Sequence, residues 1–165
     1  TRNSFIGARV LFSRDPEIPG IVARIPVFQK QERADKELSF FANLMLNYHY
    51  FWKACEPDGY MRLHVAGQIV YSIYRMILQE NEILFPCNRR LEEFVENAPK
   101  QPENIVSLCR AFCREQSDAL CDAVYQAFIG WTSFDTKTDY NALLSRYSLD
   151  YEQWWNVPRP HVDEY

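Results

Sequence analysis

One stretch constrains this chain more than any other: Tyr60 to Leu91, YMRLHVAGQIVYSIYRMILQENEILFPCNRRL. Its first part predicts a single long helix from Met61 to about Leu84, because Ala66, Ile69, Ile73, Met76, Ile77 and Leu84 recur at helical spacing. Leu63, Val70 and Tyr74 widen that stripe until little of the helix could face water. A helix that is apolar nearly all round is covered on several sides, so the rest of the chain reads as its cover. The same helix carries Arg75 and Asn81, and it gives way to Phe85-Pro86-Cys87-Asn88-Arg89-Arg90-Leu91. Polar groups buried there need partners, so they are either structural or part of a site.

Ahead of this element, Phe5 to Phe12 alternates, with Ile6, Ala8, Val10 and Phe12 on one side. That pattern predicts a β-strand. A lone strand leaves its backbone unpaired, so this one is expected to pair with residues outside the chain or with another molecule. Asp15 and Pro16 suit the start of a short helix that includes Ile21 to Ile25 and ends at Pro26. A helix then runs from about Gln31 to Ala54, with Leu38, Phe41, Met45, Tyr48 and Trp52 as its stripe. Glu56-Pro57-Asp58-Gly59 turns the chain back antiparallel.

Beyond Leu91, a short helix covers Glu92 to Asn97, and the two prolines of Ala98 to Pro102 mark a linker. A third long helix is expected over Glu103 to Phe134, then a shorter one over Tyr140 to Tyr147 with Leu143, Leu144 and Tyr147 inward. Leu149 to Trp155 reads as one more, capped by Ser148. The expected fold class is mainly α: an antiparallel four- to five-helix bundle preceded by one β-strand. Residues 1–26 form the strand and linker helix, 27–156 the bundle, and 157–165 an extended tail.

Among the 165 residues, 47% are apolar and 15% aromatic, which suits one domain with a core of large side chains. The net charge of −4 and the lack of a basic tract argue against a nucleic-acid partner. No apolar run reaches the ~18 residues of a membrane span, and no signal peptide is visible. The sequence opens at Thr1 in what reads as the middle of a longer protein, so a fragment is expected. Five cysteines, an odd number with no framework spacing, point to a reducing cytoplasm and to a role as small buried hydrophobes. Cys109 and Cys113 share a helix face, but His49, His64 and His161 lack the spacing to complete a zinc site. The aromatic stripe of Phe40, Phe51 and Trp52 is expected in the core, with a homodimer face as the other use.

No glycine-rich phosphate loop, HExxH or nucleophile–base arrangement is present. His64, beside Arg62, reads as a partly exposed helix residue rather than a base. The strongest constellation is Asn81…Pro86…Asn88-Arg89-Arg90, whose arginines and amides near a helix end could hold a phosphate or carboxylate. The competing reading is that Arg75 and Asn81 satisfy carbonyls freed where Pro86 breaks the helix, and the residues by themselves favour it.

The run Tyr74-Arg75…Asn81-Glu82…Phe85-Pro86-Cys87-Asn88-Arg89-Arg90-Leu91 resembles the helical C-terminal half of predicted nucleotidyltransferases of the kanamycin-nucleotidyltransferase-like kind. Ala8-Arg9-Val10-Leu11-Phe12…Asp15-Pro16 looks like the last strand of that family's catalytic sheet leading into its linker helix, so the resemblance spans about Gly7 to Trp155. Arg89 stands where the family usually has Lys, and Arg90 where it has Trp. The resemblance implies a partner nucleoside triphosphate and an unidentified small-molecule or protein acceptor, whose hydroxyl attacks the α-phosphate with Mg²⁺ assistance. It assigns substrate binding to Arg75, Asn81, Asn88 and Arg89. The family's Gly-Ser…Asp-x-Asp metal motif is not in the sequence; it would precede Thr1, so this chain is expected to be inactive alone. The alternative is a non-catalytic helical interaction module, with the strand near residues 5–12 adding to a partner's sheet edge. A toxin-type helical RNase needs an Arg and a His a few residues apart, and Arg62-Leu63-His64 has the wrong spacing.

Overall fold

A computed structural model describes residues 1–156. The tail over 157–165, with His161, lies outside the described residues. Among the described residues there are seven α-helices and no strand: α1 Ile18–Arg24, α2 Arg33–Met45, α3 Gly59–Glu80, α4 Asn88–Glu96, α5 Ile105–Glu115, α6 Asp118–Ile129 and α7 Tyr140–Tyr147. The strand expected over Phe5–Phe12 does not form. Arg2–Phe5 is a 3₁₀ turn, Gly7 takes a φ of 76°, and residues 8–13 have no regular structure. The alternation is present in the sequence, but a strand exists only through a neighbour's backbone, and no described segment supplies one.

The central helix is central in fact. Residues 72–79 of α3 are buried in unbroken succession, so no face of that stretch meets water. It packs against α2, α4 and α5, while α7 lies on α2 and α6 pairs with α5. Phe40, Phe41, Leu44, Ile69, Ile73, Ile77, Phe112 and Phe128 form the heart of the core. Each such side chain contributes about 1.5–3 kcal/mol through removal from water. The helix differs from expectation at both ends. Leu63 is 59% exposed because the first turns of α3 extend past their cover. The last turn closes at Glu80, ahead of Pro86, with Asn81 as cap and Glu82 at a φ of 55°.

Two helices are not continuous as the sequence suggests. The helix expected from Gln31 to Ala54 becomes a π-helix at Leu46–Ala54, where Cys55 N–H donates to the Tyr50 carbonyl five residues back at 3.0 Å. In this wider coil Tyr48 and Trp52 both reach α6: the Tyr48 hydroxyl donates to Asp122 (2.7 Å) and the Trp52 indole to Asp118 (2.9 Å). Phe40 and Trp52 are core residues as expected, and Phe51 is half-buried. The helix expected over Glu103–Phe134 is two. Gln116, at a φ of 49°, ends α5, and the Ser117 hydroxyl accepts from Leu120 N–H (3.3 Å) to start α6. Arg62 from α3 donates to the Gln116 carbonyl (3.0 Å) and so holds the break in place.

The far end of α6 is fixed by α3 as well: the Glu80 carboxylate accepts from Ser133 N–H (3.0 Å) and the Ser133 hydroxyl (2.8 Å). Helix α7 matches its expected bounds, with Leu143 buried, Tyr147 half-buried and Leu144 44% exposed. It continues into a π-turn, Ser148–Glu152, instead of a separate helix. No helix among the described residues is long and apolar enough to cross a membrane.

Candidate functional site

Inside the apolar stripes of α2 and α3 run two polar ones. Helix α2 offers Lys36, Ser39 and Asn43, continued by Asn47 on the π-helix, and α3 offers Gln68, Ser72, Arg75 and Gln79, each set spaced by three or four residues. The helices are antiparallel, so the stripes meet as a buried seam. Asn43 Nδ2 donates to the Ser72 hydroxyl (2.8 Å) and to Gln68 Oε1 (2.9 Å), and Asn47 Nδ2 donates to Asn43 Oδ1 (2.8 Å). Ser39 donates to Asp150 (2.6 Å), and Arg146 ties that carboxylate to Asp35 (2.7 Å).

Arg75 sits in the middle of the seam and is wholly buried. Its guanidinium lies over three rings, 4.0 Å from the Phe85 centroid, 4.4 Å from Phe40 and 5.4 Å from Tyr71, and it donates to the Tyr71 hydroxyl. A flat, weakly hydrated cation tolerates such a cage better than an ammonium would. Asn81 is equally committed. Its amide donates to the carbonyls of Ile77 (2.8 Å) and Lys100 (2.7 Å), and its Oδ1 accepts from Lys100 N–H (2.9 Å). It caps α3 and staples the α4–α5 linker to it.

Asn88 and Arg89 stand together, exposed, on the first turn of α4. Arg90 beside them pairs with Glu93 (3.0 Å), whereas Arg89 has no ion pair or hydrogen bond among the described residues. The N-terminal 3₁₀ turn is laid on this corner, where the Thr1 hydroxyl donates to the Pro86 carbonyl (2.8 Å). On one side of the turn, Asn3, Ser4, Ile6, Cys87, Arg89 and Phe94 border an open hollow of about 530 Å³. On the other, Arg2, Gln29, Lys36, Gln79 and Phe85 border a tight cavity of about 20 Å³. Phe85 borders this cavity, and its ring lies on Arg75. Of the four residues singled out by resemblance, the fold therefore brings Asn88 and Arg89 together in the open, seals Arg75 behind Phe85, and occupies Asn81 with the linker.

Sequence reasoning missed Lys36 and Gln79, although polar residues at helical spacing within an apolar stripe were the available signal. Lys36 is buried, and burial pushes its ammonium below the usual 10.5, against the opposing pull of Glu32 at 2.8 Å. Gln79 Oε1, also buried, has no hydrogen-bond partner among the described residues.

Among the described residues, no grouping of three or more His, Cys, Asp or Glu side chains could hold a metal ion. All five cysteines are free. Cys109 and Cys121 are buried, and burial pushes both thiols up to about 12, which leaves them inert. Cys55 and Cys113 are exposed rather than buried. His64 is exposed and stacks on Tyr60 with centroids 5.8 Å apart. No protein-family model, no curated protein and no solved structure matches this chain.

Proposed function

We propose that this chain is the helical, substrate-binding half of a nucleotidyltransferase that transfers a nucleoside monophosphate to a small-molecule or protein acceptor. The observation that carries the reading is a juxtaposition. The alternating segment Phe5–Phe12, with Ile6 63% and Phe12 80% exposed on one side of the alternation, begins at the corner that presents Asn88 and Arg89. Apolar residues that alternate and stay in water suit a strand completed by a sheet from elsewhere. Such a sheet would bring its substrate to the open side of the α3–α4 corner. There Arg89 offers a guanidinium fork suited to phosphate oxygens. Any Mg²⁺ would be held by that sheet. On this reading Arg75 acts indirectly, by fixing the Phe85 wall.

The test is calorimetric titration of nucleoside triphosphate, with and without Mg²⁺, into this chain and into the product of the complete gene. Mg²⁺-dependent binding by the complete product alone, weakened by Arg89→Ala, is the expected result. Absence of binding in both would favour the second reading, a helical interaction module whose exposed N-terminal segment adds to a partner's sheet edge. The internal use of both Arg75 and Asn81 is the observation on that side.

A further inference from the structure

Away from the α3–α4 corner, where the π-helix faces α7, the surface has the reverse chemistry. The π-helix and α7 enclose a hollow of about 350 Å³ bordered by Tyr50, Phe51, Tyr140, Leu144, Tyr147 and Glu152. That volume is in the range of small-molecule sites, which is about 300–1,000 Å³. Tyr50 meets Phe51 edge-on with centroids 5.0 Å apart, and Phe51 lies 6.2 Å from Tyr147. Tyr50 is 50% and Tyr140 43% exposed, so these rings line an accessible surface instead of finishing the core.

The one ionised group at the hollow is Glu152, because no lysine or arginine borders it. Its carboxylate accepts from the Ser148 hydroxyl (3.0 Å) and has no ion pair among the described residues. Burial and, after it, this carboxylate hold the Tyr147 hydroxyl above its ordinary pKa, in keeping with a negative charge close to the rings. Ring faces are themselves electron-rich, so rings and carboxylate favour the same kind of guest: a positive charge wrapped in apolar surface. A neutral apolar guest would leave Glu152 unused, and a bare metal ion would find a single carboxylate.

We propose that the hollow between the π-helix and α7 binds a small organic cation, an alkylated ammonium group, with its alkyl surface on Tyr50, Tyr140 and Tyr147 and its charge toward Glu152. The proposal does not depend on the transferase reading, since the two hollows share no bordering residue.

Choline and its uncharged isostere 3,3-dimethylbutan-1-ol are the probes, titrated into the chain by calorimetry. Choline is expected to bind saturably, and the uncharged isostere about tenfold more weakly, as ring and carboxylate recognise the charge. Tyr50→Ala and Glu152→Gln, both at exposed positions and checked for folding by circular dichroism, should each weaken choline by about three- to tenfold, with Arg89→Ala unchanged. The proposal is overturned if choline does not saturate, if the isostere binds equally well, or if both variants bind choline like the parent chain.

Discussion

Arg75 and Arg89 carry the same guanidinium and occupy opposite situations. The first is wholly buried on the rings of Phe85, Phe40 and Tyr71, in a seam where Asn43, Asn47 and Ser72 also find partners. The second stands in water at the start of α4 without a counter-ion among the described residues. A polar group taken from water commits its bonding capacity to the fold, since leaving it unmet costs more than the bond returns. A polar group left in water keeps that capacity for a ligand. The seam between α2 and α3 is therefore the place to look for stability, and the α3–α4 corner for binding.

The largest expected effect is at the seam. Arg75→Ala should cost about 3–5 kcal/mol in urea unfolding, because it empties the ring cage. Arg75→Met, which refills the cage with carbon, should recover much of that loss. If Arg75→Ala instead costs under ~1 kcal/mol, the seam is not the structural element that the comparison takes it for. Asn81 lies between the two regions, and Asn81→Ala should cost about 1–2 kcal/mol through its three bonds to Ile77 and Lys100. Arg89→Ala should change stability by less than ~0.5 kcal/mol while weakening nucleotide binding by the complete gene product about tenfold. A large stability loss there would erase the distinction between seam and corner.

The smallest effect sharpens the boundary between the regions. Lys36, at the end of the seam, has a folded pKa below its ordinary 10.5 because of burial. Between the folded value and 10.5 the unfolded chain binds more protons than the folded one, so stability rises with pH across that window and the penalty is constant below it. Lys36→Met should remove this rise, which pH-dependent unfolding measures.

Much of the fold is legible in the sequence because helical periodicity is local. The bounds of α7, the centrality of α3 and the burial of Ile69, Ile73 and Ile77 all follow from spacing. The break at Gln116 was less legible: the apolar stripe continues on both sides, and the Arg62 guanidinium that secures it comes from another helix. The π-helix is likewise set by what Tyr48 and Trp52 reach on α6. At the candidate site, the sequence marked one corner without separating its members. Arg75, Asn81, Asn88 and Arg89 belong to one motif, yet two are spent on the fold and two face water.

By itself, then, the sequence determined which segments are helices, which of them is central, and that a polar cluster marks its end, since these rest on periodicity and composition within a few turns. Only the tertiary structure decided that residues 5–12 are not a strand, that α5 and α6 are separate, and which arginine is sealed and which is available. Those outcomes depend on partners distant in sequence: a neighbouring backbone for a strand, Arg62 for a helix break, and three rings from two helices and a loop for a buried charge.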